Sequence, residues 1–367
     1  MTSLENPIIL KNYFISEDDL LSIKSKLQIF LQDQEYFDGQ KIGKGKGIVI
    51  SAGGIRYFTS AYILIKMLRN SGCVLPVEVW YYNKELSFKM IEALKNLDVD
   101  CMDMREFVDG SPHGFLMKPL SILYSKFREV LFLDADNVCT SDPSYLFDDP
   151  NYLQNGCIFW PDFWKTSQEN PIWKILELDY CNEWEQESGQ LLINKEKCWK
   201  ELQLAAYFNI NANDYYRFIY GDKDTFRFAW MAMGKSFYMI KKPVSSCGYN
   251  DLQTGKFSGV TMAQHDSDGR IIFLHRNLLK WDITHESEYV WKIIKGYSTT
   301  AKKLGCSLNP NPNHHSSIDL HGDTELIHFD DVMHGFEDRC LKELRTLRMM
   351  NFYQDELILA HIAQHRY

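Results

Sequence analysis

The apolar positions of this chain fall into short runs separated by glycine or polar punctuation, and their period changes along the sequence. Ser16-Glu17-Asp18-Asp19 reads as a capped helix start with acids in the first turn. Leu20, Leu21, Ile23, Leu27, Ile29, Phe30 and Leu31 continue it as a mostly helical stripe. Asp38 to Gly47 is rich in glycine and lysine and predicts a linker. It does not fit G-x-x-x-x-G-K-[ST], and it precedes a strand instead of following one, so it is no phosphate loop. An alternating rhythm then begins. Ile48-Val49-Ile50 predicts a short strand, Ser51-Ala52-Gly53-Gly54 a tight turn, and Tyr57 to Asn70 a helix closed by Gly72. Val77 to Tyr82 predicts a second strand, residues 86–97 a helix, and Val99-Asp100-Cys101 a third strand. Strand, turn, helix, strand at this spacing argues a parallel, nucleotide-binding type of sheet.

Further strands are expected at Val130–Leu133, Cys157–Trp160, Leu191–Ile193, Phe237–Ile240 and Ile271–Leu274. Each is an all-apolar run bounded by turn residues, as buried strands are. The Asn309-Pro310-Asn311-Pro312-Asn313 run predicts a loop before a C-terminal helical tail. The organisation expected is an N-terminal helical appendage and linker over 1–45, a central domain over 46–300, and a loop with a helical tail over 301–367.

Composition narrows the classes. At 367 residues, 45% hydrophobic and 24% charged, the chain can bury a large core without a disulfide or metal staple. A net charge of −9 speaks against a nucleic-acid partner, while a small anionic ligand needs only a few local cations. The nine cysteines are scattered, odd in number and without C-x-x-C, which suggests core thiols in a reducing compartment. No basic segment followed by a long apolar stretch opens the chain, and no run of about 18 apolar residues occurs. The expectation is a soluble, cytoplasmic protein with no integral membrane segment.

Candidate chemistry sits at strand ends. Asp134-Ala135-Asp136-Asn137 leaves the strand Val130–Leu133, where α/β sheets bind ligands. Two carboxylates there repel unless a cation lies between them, and oxygen ligands favour Mg²⁺ or Mn²⁺ bridging a diphosphate. His275, at the end of Ile271–Leu274, offers a third ligand, and Lys280 can reach a diphosphate. Glu187-Ser188-Gly189-Gln190 precedes another strand: Gly189 permits close backbone approach to a sugar, and Glu187 and Gln190 can hydrogen-bond its hydroxyls. Asp222 and Asp224 open an aromatic helix, either complementing its dipole or facing a reacting sugar. Ala52, Gly53 and Gly54 form a strand-to-helix turn suited to phosphate, and Lys118 before Pro119 adds a nearby cation. Trp160, Phe163, Trp164, Trp173 and Trp184 crowd one stretch, as core or as an acceptor platform. There is no G-x-S-x-G and no G-x-G-x-x-G.

Gly47 to Gly54, Ala61 to Ile65, Leu75 to Trp80, Lys118-Pro119, Leu133 to Asn137, Glu187 to Gln190 and Gly221 to Phe226 resemble, in that order, the fungal-type α-mannosyltransferases that build mannan outer chains. The resemblance covers about residues 46–285. It implies a GT-A fold: a Rossmann-like, mixed α/β central sheet flanked by helices. It also implies a GDP-mannose donor, Mn²⁺ (or Mg²⁺), a glycan or glycoconjugate acceptor, and retention at the anomeric carbon. His275 to Trp281 is also similar to the metal-histidine motif that ends glycogenin-like retaining transferases. Carried over, Asp134, Asp136 and His275 become metal ligands. Lys280 faces the diphosphate, and Asp222 or Asp224 the donor sugar or acceptor, with Glu187 as a further candidate acid. Ala52, Gly53, Gly54, Lys118, Asn137, Gly189 and Gln190 complete the expected donor site. A retaining transferase using a UDP-sugar, a nucleotidyltransferase and an inactive carbohydrate-binding relative are the alternatives. Fungal members carry an N-terminal anchor and stem that this sequence does not display.

Overall fold

β1 (Lys46–Ser51), β2 (Val77–Tyr81), β3 (Val99–Asp103) and β4 (Glu129–Asp134) run parallel in a sheet that positions most of the candidate residues. The computed structural model describes residues 14–33, 42–110, 112, 114–285, 287–309 and 316–364, the side chains of 363 and 364 excepted. Residues 38–41 of the expected linker and 310–313 of the expected loop lie outside the described residues.

The other strands are β5 (Asn137–Cys139), β6 (Cys157–Lys165), β7 (Trp184–Asn194), β8 (Tyr238–Met239), β9 (Ser245–Asn250), β10 (Phe257–His265), β11 (Ile271–His275), β12 (Ile293–Tyr297), β13 (Leu304–Leu308), β14 (Ile318–Gly322) and β15 (Thr324–His328). The first sheet has the order β3-β2-β1-β4-β7-β6-β8 and is mixed, because β7 runs antiparallel to both β4 and β6. Its central strands β1 and β4 are apolar on both faces because both are covered. Ile48, Ile50, Leu131 and Leu133 pack with the helices Gly54–Asn70 and Phe88–Lys95. Val49, Val130 and Phe132 point the other way, into a core shared with Met117–Tyr124, Trp199–Ile210 and Lys223–Ala232. The period of two along each strand therefore feeds two separate cores.

The second sheet has the order β13-β14-β10-β9-β12-β15, with β11 pairing β10 and β5. Of its strands only β11 is anticipated from the sequence, as Ile271–Leu274. Strands such as Ser245-Ser246-Cys247-Gly248 are small and polar yet buried, because strand pairing satisfies their backbone and covers their faces.

Several expectations change in detail. Phe237–Ile240 shortens to β8, and residues 86–97 shorten to the helix Phe88–Lys95, capped by Ser87. Lys118 lies inside the first turn of Met117–Tyr124, where Pro119 costs no helical hydrogen bond. The expected N-terminal appendage is packed on the core: in the helix Glu17–Gln32, Ile23, Leu27 and Phe30 share a cluster with Trp173, and Phe30 stacks on Tyr207 at 4.1 Å. Position 300 is no boundary either. β13, β14 and β15 belong to the second sheet, and only then come the helices Phe336–Arg348 and Asn351–Gln364. The nine cysteines are free thiols, and seven are buried. Among the described residues no helix is long and apolar enough to cross a membrane.

Candidate active site

The segment Asp134-Ala135-Asp136-Asn137 is where the chain passes from one sheet to the other. Asp134 is the last residue of β4, and Asn137 begins β5. In β5, Asn137 sits opposite His275 of β11, and the Arg276 N–H donates to the Asp136 carbonyl at 2.9 Å. On the other side, Leu133 of β4 sits opposite Gln190 of β7, which sets Gly189 and Glu187 beside the same turn. Register alone thus brings together three motifs that are far apart in sequence.

The side chains form one charged cluster. His275 Nε2 lies 3.2 Å from Asp136 Oδ1 and 3.9 Å from Asp134 Oδ2, and its Nδ1 lies 3.5 Å from Glu187 Oε1. Asp134, Glu187 and His275 each offer a ligand atom, all within 4.8 Å of one another, a spread that one metal ion spans. Asp136 is instead held by Lys280, whose ammonium contacts its Oδ2. Lys118 Nζ bridges Asp134 Oδ1 at 3.1 Å, Asp222 Oδ2 at 2.8 Å and the Ser188 hydroxyl at 2.7 Å. Glu187 also accepts from the Gly189 N–H at 2.7 Å. Gly189 is required by space: a Cβ there would come within 2.4 Å of His275 Nδ1.

Burial raises the electrostatic stakes. The Asp134 carboxyl is pushed up to about 6 by burial, with Lys118 and His275 opposing. Burial acts on Asp136 in the same direction, but His275 and Lys280 outweigh it and hold this carboxyl well below the usual range. Glu187 is drawn down to about 2: burial opposes, and His275, Lys118 and Lys223 prevail. Burial would make His275 less basic, yet Asp136 and Glu187 raise it to about 10. A divalent ion taking a nitrogen of this ring would compete with a proton for it. Buried His275 Nδ1 has no hydrogen-bond partner among the described residues. Imidazole nitrogen and carboxylate oxygen together are a donor set for a divalent metal ion.

The remaining expected residues divide. Asn137 donates to the Gly189 carbonyl and to Gln190 Oε1, both at 2.8 Å, so this pair ties β5 to β7. Ala52 and Gly53 follow β1, whose Ser51 is opposite Asp134, and Gly54 starts the next helix at φ +69°. That helix presents Tyr57, whose ring centroid is 5.4 Å from Lys280 Nζ, and Arg56 pairs with Asp282 at 3.0 Å. Asp222 joins the cluster through Lys118, whereas Asp224 faces Lys223. Trp160, Phe163, Trp164 and Trp173 are buried core residues and offer no platform; Trp184 is half-buried and stacks on Tyr297.

The sequence reading missed four residues, three of them in one group. Lys223 Nζ pairs with Asp162 Oδ2 at 2.8 Å and Glu185 Oε2 at 2.7 Å, next to the Lys118–Asp222 pair. Asp162 was hidden in an aromatic run. Glu185 had a signal, since it alternates with Glu187 on β7 and so shares its face. A second omission is Arg276. Fully buried, it lies over Trp281 (4.0 Å) and Trp291 (5.3 Å), donates to the Leu279 carbonyl and to Thr284, and approaches Glu337 at 3.7 Å. It fixes the turn that carries Lys280.

A family model described as "Mannosyltransferase putative" matches residues 45–183 and 178–266. The α-1,2-mannosyltransferase MNN23 of Candida albicans is 27% identical over 323 residues, covering 72% of this chain and 53% of its own length. The α-1,2-mannosyltransferase MNN2 of Saccharomyces cerevisiae is 29% identical over 275 residues, covering 61% and 46%. The chain spans about half the length of the curated relatives it matches. The solved galactosyltransferase LgtC overlaps 52% of this chain and 72% of its own at 16% identity and a TM-score of 0.38, too low to bear on the assignment.

Proposed function

The chain belongs to this mannosyltransferase family, and from that premise we propose that it transfers mannose from GDP-mannose to a hydroxyl of a glycan acceptor, with retention at the anomeric carbon. The observation that carries the reading is the convergence of Asp134, Asp136, Glu187 and His275 with Lys118 and Lys280 at one sheet junction. An acid–imidazole set flanked by two ammonium groups is suited to a metal-bound diphosphate and has little use in a core.

Asp134, His275 and Glu187 or Asp136 would hold Mn²⁺. When bound, the ion supplies Lewis acidity toward the departing diphosphate. Lys280 can exchange Asp136 for a phosphate oxygen, and Lys118 orients Asp134 and Asp222. The fixed carboxylates stabilise the oxocarbenium-like centre as the glycosidic bond breaks. No strong protein base is needed, because the leaving phosphate can take the acceptor proton on the same face.

The test is calorimetry with GDP-mannose, UDP-glucose, UDP-galactose and UDP-GlcNAc, each with and without Mn²⁺, on the wild type and Asp136→Ala. GDP-mannose is expected to bind only with metal and not to the variant. Metal-dependent binding of a UDP-sugar alone would transfer the reading to that donor. Absence of all binding would leave a family member without donor chemistry.

A further inference from the structure

Beside the metal cluster lies a second group of buried charges that diphosphate chemistry does not use. Lys223 Nζ touches Asp162 Oδ2 and Glu185 Oε2 at 2.8 and 2.7 Å, and Asp224 Oδ2 lies 3.5 Å away. Asp224 is 1% exposed, and neither of its carboxylate oxygens has a hydrogen-bond partner among the described residues. Arg227, wholly buried, donates to Thr166 at 3.3 Å, and Thr166 in turn donates to Glu185 at 3.5 Å. Desolvating so many ionisable groups is costly, and hydrophobic residues of similar volume would serve a core as well.

Three acids face Lys223 and Arg227, so the group carries no surplus positive charge and repels a diphosphate. Burial also pushes Asp162 to about 6 and Asp224 to about 7, which brings the group close to neutral. The ligand it suits is therefore uncharged, with both donors and acceptors. The Asp162 and Lys223 side chains retain 8% and 11% exposure. Tyr220 flanks it: its ring is 45% exposed, and Lys223 Nζ lies 5.9 Å from the ring centroid. An ammonium that donates to one hydroxyl oxygen, a carboxylate that accepts from the next, and a flat apolar ring together read a vicinal diol on a sugar face.

We propose that Asp162, Lys223 and Tyr220 form a subsite that holds a vicinal diol of the neutral acceptor hexose, with Glu185 and Asp224 fixing the ammonium of Lys223. The subsite adjoins the donor cluster through consecutive residues: Asp222 pairs with Lys118, and Lys223 pairs with Asp162. The assignment to an acceptor rests on the transferase reading above; the recognition of a diol does not.

The experiment uses methyl α-mannoside as the probe, with wild type, Asp162→Asn and Tyr220→Ala. Binding is read by saturation-transfer NMR without donor, and KM for the mannoside is read with GDP-mannose and Mn²⁺. Thermal melts confirm that the variants fold, and exposed Tyr220 is the safer of the two positions. Asp162→Asn is expected to weaken the mannoside roughly 10- to 100-fold, the effect of losing a hydrogen bond to a charged group. Tyr220→Ala is expected to weaken it by about 2- to 10-fold. The Kd for GDP-mannose should stay within about twofold in both. Unchanged mannoside affinity in both variants, absence of mannoside binding to the wild type, or loss of donor binding with the acceptor unaffected would each overturn the subsite. Mannoside binding that depends on Asp162 in a protein that binds no nucleotide sugar would sink the transferase reading and leave the subsite standing.

Discussion

Gly189→Ala tests the metal cluster with one methyl group. The backbone of Gly189 lies outside the left-handed region, so alanine meets no conformational penalty, and the whole effect is steric. The added Cβ would stand 2.4 Å from His275 Nδ1, 2.6 Å from its Cε1 and 3.0 Å from Glu187 Oε1. Ordinary van der Waals separation requires the ring to retreat by about 1 Å. It has little room, because His275 is 5% exposed and its Nε2 is engaged by Asp136 at 3.2 Å. Overpacking of this kind costs about 1–3 kcal/mol of stability. A ligand ring displaced from its place typically costs roughly 10- to 100-fold in metal affinity. Urea unfolding reads the first quantity, and calorimetric titration with Mn²⁺ the second. Both are measured again in a His275→Ala background, where only the Glu187 contact remains and the methyl group should be nearly tolerated. The expected coupling between the two positions is about 1–2 kcal/mol. Equal destabilisation by Gly189→Ala in both backgrounds, or Mn²⁺ affinity within twofold of wild type, would refute the proposed crowding of ring and glycine.

Three other outcomes are expected. Lys118→Met strands the carboxylates of Asp134 and Asp222 in a buried setting and should cost about 3–5 kcal/mol in urea unfolding; a loss below about 1 kcal/mol would show the bridge to be unimportant. His265 is pushed down to about 3 by burial, with Lys242 adding to the effect. The unfolded chain therefore takes up this proton first, and stability should fall as pH drops from about 6.5 toward 3, by several kcal/mol in all. His265→Gln should flatten that acid limb, and an unchanged slope between pH 7 and 4.5 would count against it. Arg276→Met leaves Glu337 buried with only the Val290 and Trp291 N–H groups. It should lower stability by about 3–5 kcal/mol and expose residues 276–285 to limited proteolysis; a protease-resistant turn would argue that Arg276 does not hold it.

Much of the first sheet was legible because strands buried on both faces must be apolar throughout, and Ile48-Val49-Ile50 or Val130–Leu133 admit few other readings. β9 and β10 escaped notice for the opposite reason. Their serines, glycines and cysteine are buried by pairing with other strands, and pairing partners distant in sequence leave no local mark. β13 to β15 were read as loop and tail because their polar side chains look like surface. In the site, Asp134, Asp136, Glu187, Lys118, His275 and Lys280 were visible as polar residues attached to apolar strands or a helix start. Asp162 and Lys223 were not, since each looks ordinary until the other appears beside it. Asn137 and Gln190 show another pattern: the Asn137 amide donates to Gln190 Oε1, while Asn137 Oδ1 and Gln190 Nε2 have no partner among the described residues.

The turn between β4 and β5 has a practical consequence. The family model's match ends at residue 266, but β11, with His275, is the strand that β5 pairs with, and Thr140 also leans on Ile272. A truncated version cut where that match ends would keep the two aspartates and lose the wall that faces them. Anyone trimming this protein for expression, or splicing its donor site into another scaffold, has to carry both sheets and the helix Phe336–Arg348 that steadies Arg276 through Glu337.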